Sequence, residues 1–144
     1  MTDLKSIINH CKFISSNRSV LEGHVRLNYN LAYNALIVNV DRKTAKDYLS
    51  YVIYMSIAAD NHMRIEEWEF ASKFFGWVDR SIAFNELEQL AIEKNREDVL
   101  EVFGLLPDSV KENIVRMCVA VFFLDNKLDR DEEKLIKRLS KLYY

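Results

Sequence analysis

Seven acidic side chains fall into two short clusters that share one spacing. Asp60, Glu66 and Glu67 make the first, and Asp125, Asp129, Asp131 and Glu132 the second, with the leading Asp of each 65 residues apart. Each Asp is followed by Asn (Asn61, Asn126), then by one apolar residue (Met63, Leu128), and a Glu stands seven positions after it. Converging carboxylates are hard oxygen donors and could hold a divalent cation such as Ca²⁺, Mg²⁺, Mn²⁺ or Zn²⁺. The EF-hand arrangement is excluded. Counting from Asp60, the third and fifth loop positions are His62 and Arg64; counting from Asp125, the third and sixth are Lys127 and Arg130. Neither loop supplies the required ligands and glycine. A shared ion would therefore need carboxylates from both clusters.

Helix ends account for part of this charge without any ligand. Acids in the first turn of a helix face the positive end of its dipole, and Asp129-x-x-Glu132 has the form of a capping box. Asp60 and Asp125 are different, because each follows an apolar run (52–59 and 115–124) and so meets the negative end of a helix. A carboxylate placed twice against the dipole calls for a partner: a cation, a Lys or Arg, or a backbone N–H of the other repeat.

The elements that must carry these clusters are helical. Three Gly and one Pro in 144 residues leave little punctuation, and β-type alternation is nearly absent. Caps and 3.6-residue periodicity predict helices over about residues 3–14, 20–38, 44–59 and 65–75, the last stopping at Gly76. Thr44 with Asp47 is an imperfect capping box for the third. Asn85-x-x-Glu88 and residues 97–103 suggest two short helices. Pro107 opens another, with Ser109-x-x-Glu112 as its capping box, extending to 124, and a last one runs from Asp129 to the C-terminus. The expectation is an all-α, single-domain bundle of about seven helices in which residues 52–75 and 115–140 form a duplicated helix–loop–helix. Superposing the copies pairs Phe70 with Leu135 and Phe74 with Leu139 behind the acids.

At these residues the chain resembles the TerB-like family, the helical domains named for the tellurite-resistance protein TerB and found also at the N-terminus of the DjlA-type membrane co-chaperone. Ala58-Ala59-Asp60-Asn61-His62-Met63-Arg64-Ile65-Glu66-Glu67 is similar to the family phrase, and the segment from Phe122 to Glu132 to a second copy of it. The resemblance spans about residues 20–144. It implies two three-helix repeats about a pseudo-twofold axis, an acidic surface associated with divalent-metal binding at the seven acids named above, and participation in stress-response protein complexes. The chain departs from the pattern in having Asn for Gly in both copies, Arg64 at the first cap position and Trp68 after Glu67. It also lacks a His-Pro-Asp J-domain signature.

Composition bounds the remaining possibilities. A 144-residue chain buries about 70% of its unfolded surface, and 49% hydrophobic with 29% charged residues is ordinary for a soluble protein. No run of 18 apolar residues could span a bilayer, and the start, Met1 to Lys5, has no signal-peptide pattern, so a cytoplasmic location is expected. Residues 1–50 carry 7 basic and 4 acidic side chains, whereas residues 51–100 carry 5 and 10. No basic stripe with interleaved aromatics suggests a nucleic-acid surface. Cys11 and Cys118 are read as buried reduced thiols. Among His10, His24 and His62 no two stand three or four residues apart, and no phosphate-binding glycine loop is present. His62 reads as a solvated loop residue, and Phe70, Phe74, Phe75 and Trp77 as core. The expected protein is a non-enzymatic cytoplasmic interaction module with an unidentified protein partner. Two other readings stay open: a metal-dependent enzyme or metal-sequestering protein using the acidic pair, and a structural subunit whose acids are only caps.

Overall fold

The computed structural model describes the backbone of residues 3–57, 65–78, 96–125 and 130–143, and within these all side chains except those at 65–68, 77–78, 96–99, 125, 131, 139–140 and 142–143. The described chain is all-helical, with no strand among the described residues: α1 (Leu4–Ile14), α2 (Arg18–Leu36), α3 (Arg42–Ile57), α4 (Ile65–Val78), α5 (Arg96–Gly104), α6 (Asp108–Phe122), a 3₁₀ turn (Phe123–Asp125) and α7 (Arg130–Tyr143).

The caps explain several boundaries. Asp3 accepts the Ser6 N–H at 2.8 Å and starts α1. Asn17 accepts the Val20 N–H at 3.2 Å, so α2 begins at Arg18, two residues earlier than its apolar pattern suggests. Asp41, rather than Thr44, caps α3: its carboxylate accepts the Thr44 N–H at 2.7 Å and its carbonyl the Ala45 N–H at 3.1 Å. The Ser109 capping box does not form. Pro107 occupies the cap position with no side-chain hydrogen bond, its carbonyl accepting from Val110 and Lys111 at 3.0 Å, and Ser109 lies inside the helix. Gly76 does not end α4, which continues to Val78. The region 79–95, including Asn85-x-x-Glu88, lies outside the described residues. Replacing Asn17 with alanine is expected to remove about 1 kcal/mol of stability by orphaning the first N–H groups of α2. Urea unfolding of the variant measures that loss directly.

Packing centres on α6. Its run from Met117 to Phe122 is buried on every side, as is the start of the following turn, Phe123 and Leu124. A helix apolar all round has to lie in the middle of a core, and α6 packs against α1, α2, α3 and α7, most extensively against α2. Cys118 and Cys11 are both fully buried free thiols, as read from the sequence, and burial pushes each up to about 12. Phe70, Phe74 and Phe75 of α4 are buried with Tyr29 of α2. The Phe74 ring lies edge-on to Tyr29 and to Phe75, each with centroids 5.3 Å apart, and stacked on Phe70 at 5.6 Å. These rings fasten α4, which carries Glu66 and Glu67, onto α2.

Candidate functional site

The turn after α6 sets the geometry of the second cluster. The Phe123 N–H is directed at the last carbonyls of α6, and the chain tightens into the 3₁₀ turn that ends at Asp125. This turn packs against α4, the helix whose first turn carries Glu66 and Glu67. The exit of α6 therefore meets α4. α3 packs on α4, and α6 on α7.

Of the seven predicted site acids, Glu132 alone lies within the described side chains. It stands in the first turn of α7 and is only 1% exposed. Its burial sets it apart from a solvated capping acid, because a buried carboxylate persists only when paired or hydrogen-bonded. Asp60 and Asp129 lie outside the described residues, as do Asn61, His62, Met63, Arg64, Asn126 and Leu128. Glu66, Glu67, Asp125 and Asp131 are described in backbone alone. Among the described residues no group of three His, Cys, Asp or Glu side chains gathers in a form that could hold a metal ion.

Arg18 is the site residue that the sequence reading missed. Its Nε donates to Glu22 Oε1 at 3.1 Å, and its Nη1 reaches the Leu124 carbonyl at 3.5 Å, at the long end of a hydrogen bond. A guanidinium thus sits at the negative end of the α6–turn segment, where a cation is favoured.

A second group of titratable side chains lies between α1, α2 and α6. The His10 and His24 rings are tilted at 59° with centroids 5.1 Å apart. His24 Nε2 is buried without a hydrogen-bond partner among the described residues. Burial, then the neighbouring His10, then Arg116 push His24 down to about 4. Arg116 itself lies 3.9 Å from Glu112 on the same helix. The arrangement keeps His24 neutral and disfavours an additional cation beside it.

No helix among the described residues is long and apolar enough to cross a membrane. No family model, curated protein or solved structure matches the chain.

Proposed function

We propose that this chain is a non-enzymatic, TerB-like interaction domain whose two acidic elbows, related by a pseudo-twofold axis, share one divalent cation. The observation that supports this reading is the packing of the Phe123–Asp125 turn, which ends at an acid of the second elbow, on α4, the helix that carries Glu66 and Glu67 of the first. The burial of Glu132 adds a desolvated carboxylate at the same end of α7. Asp60, Glu66 and Glu67 from one elbow and Asp125, Asp129, Asp131 and Glu132 from the other would hold the ion. Its charge would offset their mutual repulsion and fix the surface offered to a protein partner of a stress-response assembly. A set dominated by carboxylates favours Ca²⁺, Mg²⁺ or Mn²⁺, and His62 beside Asp60 keeps Zn²⁺ in the series.

The Arg18 contact supports one competing reading. A cation from the chain itself already meets the helix end at Leu124, and in that case the acids serve as caps of a structural subunit. Thermal unfolding with and without each cation separates the two. Binding to the folded state alone stabilises by about 2.7 kcal/mol at a hundredfold excess over Kd, a rise of roughly 8–10 °C for a domain of this size. The expected result is such a rise for wild type and none for Asp60→Asn/Asp125→Asn. A midpoint indifferent to every cation, with the variant as stable as wild type, leaves the structural reading.

A further inference from the structure

From the outward face of α7 we infer that this chain adsorbs to anionic membrane surfaces through a ridge of four cations, Arg130, Lys134, Lys137 and Lys141. This inference is independent of the cation site. All four side chains are exposed. At about 100° per residue, their spacings of 4, 3 and 4 hold them within about 60° of the helix circumference, on a straight line about 16 Å long. On the opposite side Glu132, Leu135 and Ile136 are buried, where α7 packs on α5 and α6. α7 thus turns one face to the core and a charged one to water.

The ridge has no counterion within the fold. None of the four cations makes an ion pair among the described residues. Like charges three and four residues apart on a helix repel one another, so the helix holds together cations that an external anion would relieve. The acids of α7, Asp131, Glu132 and Glu133, are confined to its first turn, where the dipole favours them. The dipole likewise accounts for Lys141 in the last turn, but not for Arg130 at the start or Lys134 in the middle.

Shape and composition select the anion. No apolar or aromatic residue falls between the four cations on this face. A protein interface is built round an apolar core, and single-stranded nucleic acid is held on aromatic platforms, so neither finds its usual contacts here. A duplex is a convex cylinder, and a straight ridge laid across it brings only part of its length to the phosphates. A flat surface meets all four cations together. Each Lys or Arg near an anionic bilayer strengthens binding about fivefold, and Glu133, exposed about 70° from the midline of the ridge, offsets part of this. The net preference for anionic over neutral bilayers is about a hundredfold. Adsorption is reversible, because nothing on this face enters the hydrocarbon.

Co-sedimentation with vesicles tests the ridge, using phosphatidylcholine alone and phosphatidylcholine with about 30% phosphatidylserine to supply the anionic surface. At about 0.1 M salt wild type is expected to bind the mixed vesicles about a hundredfold more tightly than the neutral ones, and to be released as salt approaches about 1 M and the screening length falls to about 3 Å. Lys134→Gln/Lys137→Gln/Lys141→Gln should lose nearly all of this preference with unchanged helicity by circular dichroism. Lys5→Gln/Lys12→Gln/Lys43→Gln, which removes the same charge from exposed lysines of α1 and α3, should keep it. Three results would overturn the inference: no preference for the mixed vesicles, a preference that survives the ridge substitutions, or one lost equally in the control variant. Tighter binding of random-sequence duplex DNA or of polyglutamate than of the mixed vesicles, lost in the ridge variant, would overturn it too and assign the ridge to a nucleic acid or to an acidic protein.

Discussion

Replacing Phe74 with alanine is expected to remove roughly 3–5 kcal/mol of folding stability, the usual cost of deleting a buried aromatic ring. Phe74 is fully buried and touches three other rings, Tyr29 from α2 and Phe70 and Phe75 from its own helix. Its loss leaves a cavity between α4 and α2 and removes edge-on contacts worth about 0.5–1.5 kcal/mol each beyond area burial. A domain of this size has about 5–15 kcal/mol in total, so the variant should stand close to its unfolding transition at moderate temperature. Phe13, 81% exposed near the end of α1, is the internal control. Its replacement by alanine should change stability by less than about 0.5 kcal/mol. Urea midpoints for the two variants test the contrast, and equal costs would contradict the packing of α4 described above.

The second large effect is acid destabilisation through His24. In the unfolded chain this histidine titrates near its ordinary 6.5, and in the folded chain near 4. Between those values the unfolded state binds the extra proton, so stability falls as pH falls through that window and is at its full value above about 6.5. The difference corresponds to at most about 3 kcal/mol, reduced by the water that reaches the half-buried ring. Geometry gives the reason: Nε2 has no hydrogen-bond partner among the described residues, and His10 and Arg116 face the ring from α1 and α6. Substituting His24→Gln should leave stability at pH 7 nearly unchanged and spare the variant about 2 kcal/mol of the loss wild type suffers on going to pH 4.5. The capping carboxylates Asp3 and Asp41, held below their usual range by the Ser6 and Thr44 N–H groups, lose their contribution only at lower pH and cancel in the comparison. Parallel pH profiles for wild type and variant would show that His24 is not the group responsible.

How far the sequence carried the fold can be judged from particular elements. The all-helical class follows from the shortage of Gly and Pro, whereas the central place of α6, whose residues 117–122 are all buried, was not read from its apolar run. Helix starts were less legible. Asn17 and Asp41 act as caps through side-chain geometry, and the more conspicuous Ser109-x-x-Glu112 pattern was pre-empted by Pro107, whose fixed backbone already starts the helix. Gly76 suggested a stop, yet a glycine ends a helix only where the chain turns, and α4 runs on through it. The site was legible as a list of acids and their repeat, but not as an arrangement. Arg18 and Leu124 are 106 residues apart, and His10 meets His24 only because α1 folds back along α2. Neither contact leaves a local pattern in the sequence.

Calorimetric titration of Ca²⁺, Mg²⁺, Mn²⁺ and Zn²⁺ into wild type, Asp60→Asn and Asp125→Asn tests most directly whether the elbows form one site. A shared site takes up one ion per chain, and either single substitution abolishes the heat. Uptake of two ions, each lost in only one variant, would make the elbows independent. An absence of heat with every cation would contradict the shared site and leave Arg18 and the helix termini as the acids' partners.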